Sequence, residues 1–323
     1  MMNMILKEHP QIGVIGYGSW ATALVSVITG NGYRINWHIR NQEVLESINK
    51  DNVNSKYLSD IELDGNMITV SDNINEVVSE SDILIMAMPS AYISNSLSGL
   101  TVNLSDKFIV SAVKGIVPKE KATVTEYLHR VYSVPLAHLG VISGPTHAEE
   151  VSHGRMTYIT AACENIDNAK AIGKIIGNAG LKFSYSSDMQ AIEYAAVLKN
   201  IYAIAAGMAS GLGYGDNFLA VLVSACAVEM STFLASMNHS DQCDYYKNCL
   251  GDLLVTCYST YSRNRRLGLL IGRGCTVKSA LNEMTMIAEG YFSAECMHRL
   301  EEREGIAAQP IANAVYRILY EGA

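Results

Sequence analysis

An alternation running through residues 1–188 restricts this chain more than any other feature. Short β-branched apolar runs occur at 11–15, 34–39, 67–70, 82–88, 108–113 and 139–143. Stretches of helical periodicity at 19–30, 43–49, 73–79 and 119–132 lie between several of them. A strand that is apolar at nearly every position must be covered on both faces, and strands separated by helices pair in parallel. The expectation is an α/β unit: a doubly wound, mainly parallel sheet with helices on both sides. Two further runs, 158–162 and 182–186, flank a helical stretch at 166–178 and extend the pattern.

Past Asp188 no strand pattern recurs. Ala-, Leu- and Met-rich stretches at 190–210, 217–237, 245–259, 277–282, 290–304 and 311–320 predict an all-α unit. Glycine-rich segments at 207–215 and 268–274 read as breaks between its helices. The domains expected are therefore 1–188, α/β, and 189–323, helical.

The first strand runs into Gly16-Tyr17-Gly18-Ser19-Trp20-Ala21, a GxGxxA sequence at the start of a helix. Gly16 permits a tight turn and Gly18 lets the backbone approach a pyrophosphate. Ala21 is small enough for close helix–sheet packing, and the helix N-terminus offers unpaired N–H groups to the anion. This context makes the loop a dinucleotide site of Rossmann type, with NAD(H) or NADP(H) as the cofactor. An acid that grips the ribose belongs ~20 residues further on. The sequence there reads Trp37-His38-Ile39-Arg40-Asn41, with no acid. Arg40 could receive a 2′-phosphate or could be a solvated arginine at a strand end, and the residues alone leave both open.

Charge and cysteine usage narrow the class. A net charge of −8 excludes a duplex nucleic-acid binder, which needs a basic surface. Seven cysteines without a CxxC, an odd count, argue against a disulfide framework and for a reducing compartment, the cytoplasm. The longest apolar run, 195–209, is interrupted by Lys199 and Asn200 and makes a poor membrane span. The N-terminus has no secretory pattern. No residue set suggests a metal site.

Four clusters look chemical. Lys114, in Ser111-Ala112-Val113-Lys114-Gly115, follows a strand whose carboxyl end faces the ligand crevice of an open parallel sheet. Residues 143–150, SGPTHAEE, follow another strand and form a helix start with acids in its first turn. In the third, Lys199 and Asn200 sit mid-helix in an apolar stretch. Desolvation there would lower the lysine pKa and suit it to general base work, unless the lysine is ion-paired or reaches the surface. The fourth holds Asp252, which could tune a lysine or lie on a solvated surface. With it come Ser262, Arg263 and Asn264, whose arginine suits a phosphate. Arg265 and Arg266 read as solvated surface.

Taken in order, GYGSWATAL, VSAVKGI, ISGPTHAEEV, LKNIYAIAAGMASGLGYGDN, GDLLVTCYSTYSRNRRLG and AEGY resemble the NAD(P)-dependent sn-glycerol-3-phosphate dehydrogenases of bacterial type along nearly the whole chain. The resemblance implies interconversion of dihydroxyacetone phosphate and sn-glycerol 3-phosphate, a supply of glycerol phosphate for phospholipid synthesis, and a homodimer. It also implies roles. Gly16, Gly18, Ser19 and Trp20 would line the cofactor, with Arg40 and Tyr57 at its adenosine end and Ala148 beside it. Lys114 would touch cofactor and substrate, and Gly144 and Thr146 the substrate. Lys199 would be the proton acceptor. Asp252, Ser262, Arg263 and Asn264 would complete the substrate site, Arg263 also near the cofactor, and Ile287 and Glu289 would close over the nicotinamide. The chain departs from the family pattern at Ala21, His38, Ser59 and Arg155-Met156-Thr157. A related dehydrogenase of another hydroxy acid, or a non-catalytic NAD(P) sensor, are the alternatives. The Ser262-Arg263-Asn264 cluster speaks against the first, and the retained Lys114 and Lys199 against the second.

Overall fold

The computed structural model describes residues 9–237, 245–284, 286–301 and 306–323. The chain divides into two compact units. The first takes Met1–Met88, Tyr92–Val113 and Val124–Met189; the second takes Pro89–Ala91, Lys114–Thr123 and Gln190–Ala323. A single cut near 188 therefore misses two short excursions, each just past a strand of the sheet. Lys114 leaves its strand and belongs with the helical unit.

In the first unit eight strands form one sheet: β1 Ile12–Ile15, β2 Ile35–His38, β3 Ile68–Ser71, β4 Ile83–Met86, β5 Phe108–Ser111, β6 Leu139–Ser143, β7 Thr157–Cys163 and β8 Leu181–Ser186. Their order is β3-β2-β1-β4-β5-β6-β7-β8. All neighbours are parallel except β6 and β7. β1, β4, β5 and β6 are buried at every position, as strands covered on both faces must be. The edge strands β3 and β8 are partly exposed. Chain order reverses between β1 and β4, which places a ligand crevice beyond their carboxyl ends. The covering helices are α1 Ser19–Gly30, α2 Gln42–Asp51, α3 Ile74–Ser79, α4 Ile93–Leu97, α5 Val124–Tyr132, α6 Ala148–Ser152 and α7 Ile166–Ile176. The helix expected from 119 begins only at Val124. The Val117 amide donates to the Ala122 carbonyl (2.9 Å) and Lys121 sits at φ 50°, so these residues make a tight turn instead.

The second unit is helical: α8 Met189–Gly211, α9 Asp216–Ser236, α10 Tyr245–Tyr258, α11 Arg263–Gly272, α12 Val277–Glu283, α13 Glu289–Glu301 and α14 Pro310–Tyr316. α8 is apolar nearly all round and its side chains from Ala191 to Ile204 are buried, so it is the unit's central helix. The glycines expected to break helices do something else. Gly207 and Gly211 lie inside α8, and Gly268 and Gly272 inside α11, each pair four residues apart. A Cβ on Gly207 would fall on the Arg265 carbonyl, one on Gly268 on the Ile204 carbonyl, and one on Gly272 on the Met208 carbonyl. The two helices thus cross in backbone contact through facing rows of small residues. Only the glycines just beyond the helix ends, Gly213 (φ 87°) and Gly274 (φ 94°), are chain stops.

The helix long and apolar enough to cross a membrane among the described residues is α9, not the run at 195–209. Leu219, Val223, Cys226, Met230 and Phe233 on one side of α9 are buried inside the helical unit.

Candidate active site

The glycine loop closes the first strand of the sheet. Gly16 has φ 117°, and a Cβ there would fall on the carbonyl of Ala87, just past β4. Only glycine fits so close an approach of two loops at the reversal of strand order. A Cβ on Gly18 would meet nothing within 4 Å. α1 begins at Ser19 without a side-chain cap and without an acid in its first turn, so its leading amides stay available. Trp20 Nε1 is buried and has no hydrogen-bond partner. An open cradle, uncapped amides and an orphaned donor together fit a dinucleotide.

Two residues outside the GxGxxA motif hold this loop in shape. The Trp37 indole N–H donates to the Gly16 carbonyl at 2.6 Å. Asn54, fully buried, donates to the Tyr17 carbonyl at 2.9 Å and to Thr22 Oγ1 at 2.8 Å, and the Thr22 hydroxyl donates to the Gly18 carbonyl. The only signal in the sequence was an apolar indole beside a strand end.

Arg40 lies exposed just past β2. Tyr57 is half-buried, with its ring centroid 6.3 Å from that of Tyr17. His38 is buried, and burial, reinforced by the charge of Arg40, holds its pKa below the usual histidine value. An acid does stand at this edge, supplied by the neighbouring strand: Asp72, one residue past β3, accepts from the Gln42 amide at 2.7 Å. The absence of an acid after Trp37 is thus partly offset by a residue that is distant in sequence.

After β6, Gly144 adopts φ 151° and its Cβ would press on the Ile159 backbone. The Thr146 hydroxyl donates back to the Gly144 carbonyl at 3.2 Å. Ala148 is buried at the start of α6, which packs against α1.

The helical unit gathers the lysines. Lys199, from the middle of α8, donates to Asp252 Oδ1 at 2.5 Å and to Thr256 Oγ1 at 3.1 Å. Lys114 Nζ lies 3.2 Å from the other carboxylate oxygen, Oδ2. Asp252 and Thr256 sit one turn apart on α10, and the threonine hydroxyl donates to the Asp252 carbonyl at 2.5 Å. Lys199 and Asp252 are almost fully buried, whereas Lys114 keeps 20% of its side chain exposed. One buried carboxylate thus faces two ammonium groups. Burial, with the charge of Lys199, brings the Lys114 pKa down to about 8 even though Asp252 opposes the shift. Lys199 is ion-paired, and the pairing offsets the cost of burying it.

A chain of amides fixes the surroundings. Asn200 donates to the Lys114 carbonyl at 2.7 Å and accepts from the Asn264 amide at 2.8 Å. Asn264 Oδ1 accepts from the Gly290 N–H at 2.9 Å. Asn200 belongs to the cluster that the sequence marks around Lys199, whereas no sequence signal points to Thr256. Asn264, expected as a direct substrate contact, has much of its capacity engaged here. Ser262 caps α11 by accepting from the Arg265 amide at 3.2 Å. Arg263, at the first position of α11, is exposed. Glu289 opens α13, where its carboxylate accepts from the Ser90 amide at 2.8 Å and from the Ser90 hydroxyl. Burial raises the Glu289 pKa, against those two bonds and the charge of Arg263. Ile287 is half-buried just before this helix. No group of three or more His, Cys, Asp or Glu side chains among the described residues is arranged to hold a metal.

Family models of the N-terminus and C-terminus of NAD-dependent glycerol-3-phosphate dehydrogenase match residues 11–169 and 188–323. The chain belongs to the NAD-dependent glycerol-3-phosphate dehydrogenase family. It is 36% identical to a glycerol-3-phosphate dehydrogenase (NAD(P)+) of Exiguobacterium sp. over 96% of this chain and 91% of that one. It is 34% identical to the enzyme of the same name from Staphylococcus epidermidis, over 96% and 94%. A crystal structure of glycerol-3-phosphate dehydrogenase from Coxiella burnetii superposes with a TM-score of 0.86 at 26% identity, covering 98% of this chain and 96% of that one. D-mandelate dehydrogenase, at 12% identity and a TM-score of 0.59, shares the fold alone. Family membership agrees with the α/β and all-α halves.

Proposed function

We propose that this member of the family interconverts dihydroxyacetone phosphate and sn-glycerol 3-phosphate with NAD(H) or NADP(H), and that Lys199 carries the proton. The observation that bears most weight is the buried Lys199–Asp252–Thr256 group with Lys114 on the second carboxylate oxygen. A bound nicotinamide would give or take the hydride at the substrate carbon. Gly16, Gly18, Ser19, Trp20, Arg40, Tyr57 and Ala148 are the residues we assign to holding the cofactor, with Ile287 and Glu289 on its nicotinamide side. In reduction, charged Lys199 donates its proton to the ketone oxygen; in oxidation, neutral Lys199 takes it from the hydroxyl. Asp252 orients Lys199 and balances both ammonium groups, and Lys114 stabilises charge on the same oxygen. Gly144 and Thr146 we assign to substrate contact.

The phosphate falls to the N-terminus of α11. Its leading amides, the exposed Arg263 guanidinium and the remaining N–H of Asn264 offer donors to one dianion, with Ser262 holding the turn. Binding energy at the phosphate then orients the reacting carbon. In this reading the protein is a cytoplasmic homodimer that supplies glycerol phosphate for phospholipid synthesis.

The test is to mix the protein with dihydroxyacetone phosphate and NADH or NADPH and to follow absorbance. Turnover is expected with the phosphorylated ketone. Lys199→Met should fold and bind cofactor while losing nearly all turnover. A Met variant with near-normal kcat removes Lys199 from the mechanism, and an inert wild type overturns the reaction itself.

A further inference from the structure

Tyr291 ends the AEGY segment and sits one residue beyond Gly290, whose N–H donates to Asn264. Its ring opens a stack of four. Tyr291 and Tyr320 lie 4.8 Å apart at 25°, Tyr320 and Tyr316 5.2 Å apart at 22°, and Tyr316 and His298 3.9 Å apart at 13°. Sequence spacing builds this stack. Tyr291 and His298 are seven residues apart on α13, which puts them on one face two turns apart. Tyr316 and Tyr320 are four apart, at the end of α14 and in the π-turn Arg317–Glu321 that extends it. The two pairs interleave in reverse chain order, so α13 and this segment run antiparallel.

The ends of the stack differ. At one, His298 Nδ1 lies 2.8 Å from Asn313 Oδ1. At the other, the Tyr320 hydroxyl donates to the Tyr291 carbonyl at 2.8 Å. That carbonyl belongs to the first turn of α13 and has a second lone pair, so it can take this bond alongside a helical one. Burial, with the neighbouring tyrosines, raises the Tyr320 pKa above the usual phenol value, and the hydroxyl remains a donor at any working pH. The α8 backbone also bears on the same turn, because a Cβ on Gly290 would fall on the Asn200 carbonyl. From Gly290 the contacts pass to Asn264 Oδ1, and from the Asn264 amide to Asn200.

We propose that Tyr320 is a positioning residue for the substrate site: its hydrogen bond to the Tyr291 carbonyl fixes the first turn of α13, and with it the Gly290 N–H that orients Asn264 toward the substrate phosphate. The inference rests on the phosphate site proposed above. Tyr320 itself touches no reacting group. Lys199 is held separately, by Asp252 and Thr256 on α10. Loss of the bond from Tyr320 therefore loosens substrate binding and spares the chemical step.

Tyr320→Phe keeps the ring and removes the donor. Its KM for dihydroxyacetone phosphate should rise about 3- to 10-fold, the worth of one neutral hydrogen bond, while kcat stays within about twofold of wild type. His298→Leu is the comparison: it breaks the far end of the stack and should lower the thermal midpoint while leaving KM unchanged. Amide hydrogen exchange reads the same contact without substrate. The amides around Tyr291 should exchange faster in Tyr320→Phe and at the wild-type rate in His298→Leu. Wild-type KM or wild-type exchange in Tyr320→Phe overturns the proposal. A fall in kcat with KM unchanged overturns the route through Asn264. Equal rises of KM in both variants reduce the effect to general loosening of the stack and overturn the positioning role. An inert wild type overturns the reaction proposed above, and the exchange measurement then decides the role of Tyr320 alone.

Discussion

Lys114→Met should make the protein more stable at pH 7 while damaging catalysis. The ammonium of Lys114 lies beside that of Lys199 and is largely withdrawn from water. Its pKa falls from 10.5 to about 8 on folding, which amounts to roughly 3 kcal/mol of penalty on the charged form. That penalty is fully present below pH 8, where folded and unfolded chains both carry the proton. Between pH 8 and 10.5 the unfolded chain holds a proton that the folded chain has released, so wild-type stability rises with pH across that window. Methionine fills a similar volume and cannot be charged. The backbone carbonyl at 114 still accepts from Asn200, and Asp252 keeps Lys199, so no lone buried charge is left behind. The variant should therefore exceed wild type by about 2–3 kcal/mol at pH 7, with solvent at the exposed fifth of the side chain trimming the gain. The gap should close as pH approaches 10.5. Urea unfolding at pH 7, 8, 9 and 10 measures it, and other titrating groups cancel in the difference. A variant less stable than wild type at pH 7, or a gap that ignores pH, refutes the argument that this lysine is held at a cost for function.

Three further outcomes follow from the geometry. Arg263→Ala should lower kcat/KM for dihydroxyacetone phosphate by about 10- to 150-fold, the worth of a charge-assisted contact of about 1.5–3 kcal/mol, and spare dihydroxyacetone; equal losses on both substrates would take the arginine off the phosphate. Gly268→Ala should destabilise the protein by about 1–3 kcal/mol because its Cβ meets the Ile204 carbonyl, whereas Gly30→Ala, with open space around it, should be neutral or better in thermal melts. Arg40→Ala should shift the ratio of specificity constants from NADPH toward NADH, and the wild-type preference for NADPH should shrink with added salt because the guanidinium is exposed; an unchanged ratio would return Arg40 to the solvated role.

The residues alone determined what local physics decides. Buried β-branched runs at one-helix spacing set a mainly parallel sheet, and a strand running into GxGxxA set the dinucleotide loop. A lysine inside an apolar helix marked Lys199. Each of these signals is carried by residues that are neighbours along the chain or by a regular spacing of such runs. What tertiary structure decided is the company those residues keep. Lys199 meets Asp252 and Thr256 across 53 and 57 residues, and Lys114 reaches the same carboxylate across 138. Trp37 and Asn54 carry no motif, yet their donors hold the glycine loop from 21 and 37 residues away. Gly207 and Gly268 looked like helix breaks because a glycine's conformational freedom is all that sequence displays. In the fold they stay helical, because the missing Cβ on each is what lets α8 and α11 touch backbone to backbone, and that need exists only once the two helices cross.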